Sequence, residues 1–326
     1  MMVGPRRAKP AAATVVRGYP GLALRICSLV PAATEVLFAL GLGDSVVAVS
    51  HECDFPAEAA SRPVVTASLV ETGMLASAAV DDAVRSAAEN GRPLYAIDAE
   101  RWAEVAPDVV VTQELCSVCA VSSDEVGAVS EASGLEAETV PYSPTTLDEI
   151  STGIAELGER FDAEGEAEEL TTGMRSRLER VAAALATAET APRVFVAEWL
   201  EPPYSAGHWV PDMVAAAGGI DVAGLRGERS YRLQWSDVAR LRPDVVVLAP
   251  CGFDLDRTLA ETAPLELAGH LLGTPAREES RVFAVDADAC FSRPGPRVVD
   301  GVELLAYLLH PGAYRDPGAA WSRVRV

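Results

Sequence analysis

Residues 145–190 read TTLDEISTGIAELGERFDAEGEAEELTTGMRSRLERVAAALATAET, and their reading decides the fold. The stretch has no proline, and apolar residues recur at helical spacing: Ile150, Ile154, Leu157, then Leu170, Met174, Leu178, Val181 and Leu185. Thr146 followed by Glu149 predicts a capping box, in which the two side chains satisfy orphan N–H groups of the first turn. A continuous helix here would be roughly 65 Å long, and Gly158 with Gly165 predicts a break near Phe161. On either side lie blocks of alternating strand and helix patterns of similar size. A helical strut between two such blocks predicts two lobes, with a ligand cleft between them.

The 326 residues accommodate this plan. The expected divisions are a disordered leader over 1–23, an N-terminal α/β lobe over 24–144, a helical connector over 145–190, a C-terminal α/β lobe over 191–312 and a tail over 313–326. Apolar runs such as DVVVT (108–112), RVFVA (193–197) and DVVVLA (244–249) lack alternation. That is the pattern of parallel strands buried on both faces. The fold class is therefore α/β, with two Rossmann-like lobes of mainly parallel strands joined by a long backbone helix.

Charge and leader bound the function. A net charge of −21 excludes a nucleic-acid footprint, which needs a basic face. No run approaches the roughly 18 apolar residues of a membrane span. The first 21 residues carry basic side chains but no apolar signal core. As written, the chain is expected in the cytoplasm; a start further upstream would make it periplasmic. In a reducing compartment six cysteines read as free thiols or ligands rather than a disulfide framework.

The unusual residues fall just after strands: HECD (51–54), QELCSVC (113–119), EWLEPPY (198–204), GHW (207–209), PCGF (250–253) and CFSRPGPR (290–297). In open parallel sheets, ligands bind beyond the carboxyl ends of the strands, so these loops are expected to converge on one cleft. The candidate ligand-binding residues are His51, Cys53, Gln113, Glu198, Trp199, Tyr204, His208, Trp209, Cys251, Phe253, Phe291 and Arg293. The aromatics suit a flat, partly apolar ligand, and His208 suits the metal of a chelate. Thiolate and imidazole are also the ligands of zinc, copper and iron–sulfur centres. Cys116 and Cys119 have chelate spacing, and with Cys53 and His208 they form a candidate site for a directly bound transition metal. Ordinary pocket packing and a redox dithiol are the other readings of these cysteines. Cys27 lies inside a strand and reads as core.

Enzyme signatures are scarce: no GxSxG, GxxxxGK[ST] or HExxH, and no GxGxxG after a strand. The chain reads as non-catalytic, with catalysis on a tetrapyrrole-like substrate the weakest of the readings.

SLVPAATEVLFALGLGDSVVAVSHECDFP (28–56), AEWLEPPYSAGHWVPDMVAAAGG (197–219), WSDVARLRPDVVVLAP (235–250) and RPGPRVVDGVELLA (293–306) together resemble the vitamin B12 and iron-siderophore substrate-binding proteins of ABC importers. The resemblance covers about residues 24–311. It is strongest to the cobalamin-binding branch, in which HECD, QELCSVCAVS and GHWVP occur as here. It implies the class III substrate-binding-protein fold, little hinge movement, and cobalamin or another corrinoid or metal chelate in the cleft. It also implies docking to a membrane permease through an acidic residue on each lobe. Glu100 matches the first position; the second falls on Ser236, with Asp237 beside it. The alternative reading is a cytoplasmic metal- or iron–sulfur-binding protein that uses the Cys/His cluster.

Overall fold

The computed structural model describes residues 24–326 except 71, 72, 74, 114–120 and 122. The expected leader therefore lies outside the described residues. In the first lobe the strands are β1 (Ile26–Ser28), β2 (Val46–Val49), β3 (Thr66–Ser68), β4 (Tyr95–Ile97), β5 (Val109–Thr112) and β6 (Glu138–Pro141). Its helices are α1 (Pro31–Ala39), α2 (Ser77–Glu89), α3 (Ala99–Val105) and α4 (Ser123–Ser133). The connector holds α5 (Leu147–Arg160) and α6 (Glu164–Leu185).

The second lobe contributes β7 (Arg193–Ala197), β8 (Trp199–Leu200), β9 (Pro203–Tyr204), β10 (Ile220–Asp221), β11 (Val245–Leu248), β12 (Val282–Val285) and β13 (Trp321–Arg323). Its helices are α7 (Val210–Ala216), α8 (Trp235–Leu241), α9 (Leu255–Thr262), α10 (Leu267–His270), α11 (Pro275–Glu278), α12 (Ala287–Cys290) and α13 (Val298–Leu309).

Two mainly parallel sheets result, ordered β2-β1-β5-β6 and β10-β7-β11-β12-β13. Only β13 runs antiparallel, against β12. Residues 313–326, expected as a tail, thus supply an edge strand of the second sheet. The pairing β3–β4 is a separate antiparallel ribbon from which α2 projects.

The central strands β1, β5, β11 and β12 are buried on both faces, which their uninterrupted apolar runs require, while the edge strands β6, β10 and β13 are partly exposed. Val109 and Val111 of β5 face one hydrophobic cluster and Val110 faces another. In β11, Val245 and Val247 share the first cluster, while Val246 and Leu248 face a third. The first cluster is continuous across the molecule, from Ile26 through Ile150, Phe161 and Val181 to Leu309.

The connector is two helices, not one 65 Å rod. Phe161 and Asp162 end α5; Asp162 adopts a left-handed φ of 54° and the Ala163 N–H donates to Gly158 O at 2.8 Å. Phe161 is fully buried at the joint. The 22-residue α6, about 33 Å long, packs along α13 and α7 of the second lobe. Arg177 of α6 adds a bidentate contact to Glu303 of α13. At the start of α5, Thr146 Oγ1 accepts from Glu149 N as expected, and the Glu149 carboxylate accepts from Thr145 N at 2.7 Å and from Thr145 Oγ1 at 2.6 Å.

Candidate functional site in the inter-lobe cleft

Each strand-end loop is positioned by its own strand. The HECD loop leaves β2, and His51 is fixed by Thr66 at the start of β3. Its backbone N–H donates to Thr66 Oγ1 at 3.0 Å, and its Nδ1 lies 2.7 Å from the same oxygen. His51 Nε2 lies 3.3 Å from Glu52 Oε1. The His51 imidazole at this carboxylate lowers the Glu52 pKa below the usual value.

Cys53 is turned inward. Its sulfur lies 3.1 Å from both the Thr34 and Ser50 hydroxyls, and burial pushes its thiol pKa up. A neutral, caged thiol is a poor metal ligand. Cys27 is likewise fully buried, as its strand position predicted. Among the described residues no group of three or more His, Cys, Asp or Glu side chains is arranged to hold a metal ion. Cys116 and Cys119 lie outside the described residues. Both ends of their loop are described: Gln113 is half-buried after β5, and Thr112 Oγ1 donates to Val121 O at 2.6 Å.

In the second lobe, the GHW turn puts His208 at φ 51°, in the left-handed region that few non-glycine residues enter and histidine enters more than most. Its N–H donates to Glu228 O at 2.7 Å, and its ring stacks on Trp209 at 5.7 Å. His208 Nε2 is buried without a hydrogen-bond partner. Burial first, and then the Arg229 charge, push the imidazole pKa below its usual 6.5. Trp209 itself belongs to the core, and its Nε1 donates to Phe291 O at 2.8 Å. Phe291 is also core.

The β8–β9 hairpin carries Trp199 and Tyr204 as a cross-strand pair. Trp199 meets Phe253 edge-on at 5.1 Å, and the Arg257 guanidinium lies 3.7 Å from the Phe253 ring centre. Glu198 O accepts from Cys251 N at 2.9 Å, which ties the β7 and β11 loops together. Glu198, Phe291, Val196, Val210, Ala249 and Ser292 bound a strand-end cavity of about 10 Å³. A larger hollow of about 600 Å³ lies elsewhere, between α2 and the second lobe; Asp81, Asp82, Glu201, Arg232, Ser236 and His270 are among its walls.

Arg293, expected to meet the ligand, instead joins the lobes. The residue is 7% exposed, and its guanidinium pairs with Asp54 and Glu35 of the first lobe and Asp288 of its own. Arg297 adds a two-pronged contact to Glu35 at 2.6 and 2.9 Å. The roles of Glu35, Asp288 and Arg297 escaped the sequence reading, although Glu35 stood out as a charge within the apolar helix AATEVLFA. Of the two docking acids, Glu100 is exposed on the first turn of α3. Asp237 is engaged: it accepts from Gln234 N at 2.9 Å in the capping box of α8 and pairs with Arg240.

Two parallel α/β lobes, a connecting helix and a loop-lined cleft define a ligand-binding protein of the two-lobed kind. Residues 26–289 match the model of the periplasmic binding protein family, and the chain belongs to that family. It is 25% identical over 299 residues to the uncharacterized ABC transporter substrate-binding lipoprotein YvrC of Bacillus subtilis (strain 168), an alignment that takes in 90% of this chain and 82% of that one. The structure is similar to a periplasmic heme-binding protein from Pseudomonas aeruginosa (TM-score 0.69, 21% identity, covering 93% of this chain and 99% of that one). It is also similar to the periplasmic vitamin B12-binding protein BtuF of Vibrio cholerae (TM-score 0.64, 22% identity, 87% and 96%). Membership makes the chain a binding protein of the periplasmic type. The family is named for the periplasm and the curated relative is a lipoprotein, so the cytoplasmic expectation finds no support among relatives. No helix among the described residues is long and apolar enough to cross a membrane.

Proposed function

We propose that this chain is the extracytoplasmic receptor of an ABC importer and that it holds cobalamin or a related metal chelate between its lobes. The observation that carries the ligand class is His208: a buried Nε2 without a partner, on an imidazole held neutral, beside an aromatic ring. A neutral imidazole nitrogen is an axial ligand for a chelated metal that keeps an open coordination site. The likeness to heme- and vitamin B12-binding proteins supports the same class. Glu100 is the surface acid offered to a permease in the first lobe. The alternative of a directly bound metal or cluster gains nothing from Cys53, whose sulfur is caged by hydroxyls.

An absorbance titration with cobalamin tests this reading. Saturable one-to-one binding is expected, with a shift of the corrin bands as His208 enters the axial position. His208→Ala should bind about tenfold or more weakly and lose the shift. The pH sign follows from the lowered pKa. Protons compete for Nε2 only below the usual 6.5, so binding should persist at mildly acid pH and fall as pH drops through the depressed value. Arg229→Ala should move that fall to higher pH. No binding by the wild-type protein would remove cobalamin as the ligand; binding unchanged in His208→Ala would remove the axial role.

A further inference from the structure

Helix α2 belongs to the first lobe by sequence, yet its amino-terminal end is fastened to the second. Ser77 N donates to Glu261 of α9 at 2.9 Å, and Ser77 O accepts from Trp199 Nε1 at 3.1 Å. Asp81 accepts from the Tyr204 hydroxyl at 2.8 Å and lies 3.9 Å from Arg232. Leu75 O accepts from Arg257 at 3.3 Å. These contacts fasten α2 to the β8–β9 hairpin, which follows directly on Glu198 of the strand-end cavity. Beneath α2 lies the hollow of about 600 Å³, so the helix rests on the second lobe through polar contacts over open space rather than a dry apolar seam. Only Ser77, Val80 and Ala87 of α2 are buried. Meanwhile the strand-end cavity is about 10 Å³, far below the roughly 300–1,000 Å³ of a ligand pocket.

We propose that α2 is a strap across the cleft mouth: its bonds to Glu261, Trp199 and Tyr204 hold the cleft shut, and their release admits the ligand. This rests on the reading of the strand-end cleft as the ligand site. A segment held by a few part-buried polar bonds and little apolar burial opens at lower free energy than the packed core around α6 and α13, which opens only with global unfolding. Polar contacts also re-form readily in water, which suits a closure that must reverse.

Hydrogen exchange on the full chain, with no ligand added, tests the strap directly. In Asp81→Ala/Glu261→Ala, exchange should rise at least about tenfold across both 77–89 and 199–204, while α13 stays protected. Asp81→Asn alone should give a smaller rise in the same two segments, which separates strap release from misfolding. Unchanged exchange over 199–204 in the double variant would overturn the proposal. Stopped-flow mixing with cobalamin then reads the gate: association should be several-fold faster in the double variant. Unaltered association in a variant whose exchange has risen would also overturn it. Absence of cobalamin binding in wild type and variant alike would overturn the ligand reading, and the exchange result would still decide the strap.

Discussion

Arg293 carries a buried positive charge between carboxylates of two lobes: Glu35 and Asp54 from one, Asp288 from the other. Burial opposes its charge, but the surrounding carboxylates prevail and hold its pKa above the usual value. Removing one member of a buried pair leaves the others desolvated without a partner. Arg293→Ala should therefore destabilise the fold by about 3–5 kcal/mol, toward the lower figure because Arg297 still covers Glu35 and Asp54 reaches solvent. Urea denaturation measures this. A loss under about 1 kcal/mol would mean the cluster behaves as a solvent-screened surface network. The sequence located Arg293 at a strand end and so suggested a ligand contact. Its partner Glu35 is 258 positions away, and no local pattern relates the two. Cys53 shows the same limit: its loop position was legible, but the Thr34 and Ser50 hydroxyls around its sulfur come from the fold.

At the scale of elements, the connector shows what periodicity carries and where it stops. Apolar spacing and the Thr146–Glu149 signal marked the helical stretch, and Gly158 marked a weak point. The joint itself depends on a left-handed Asp162 and on the close approach of α5 to α6, neither of which spacing encodes. A Cβ on Gly158 would sit 2.5 Å from Ala167 Cβ and 3.1 Å from Ala163 O. Gly158→Ala should thus force the helices apart at a cost of about 1–3 kcal/mol. Gly173, mid-α6 with open space around its Cβ position, is the matched control. Gly173→Ala should stabilise by roughly 0.5–1 kcal/mol through helix propensity. Thermal midpoints moving in opposite directions would bear out the joint; a stabilised Gly158→Ala would mean that α5 and α6 yield freely there. The same limit explains β13: residues 313–326 read as a tail, because pairing with the edge of a sheet is a tertiary event that no local pattern encodes.

For the whole molecule, two lobes suggest two units that melt separately, but the packing argues otherwise. One buried cluster includes Val109 and Val111 of the first sheet, Ile150, Ile154 and Phe161 of the connector, and Val245 and Val247 of the second sheet. The lobes share this core instead of meeting across a wet interface, and the Glu35–Arg293–Arg297 contacts join them at the cleft floor. Unfolding one lobe alone would strip apolar surface from the other, at about 25 cal/mol for each Å² exposed. Shared burial of this kind couples the lobes into a single cooperative transition. Calorimetry should accordingly give one peak whose calorimetric and van't Hoff enthalpies agree. Two resolved transitions, or a van't Hoff value well below the calorimetric one, would mean the lobes fold as independent units. Cooperativity also bounds how the cleft can open. A core continuous through α6 resists rotation of one lobe against the other, so motion is confined to what the core does not hold, and α2, fastened to the second lobe mainly by polar contacts, is such a part.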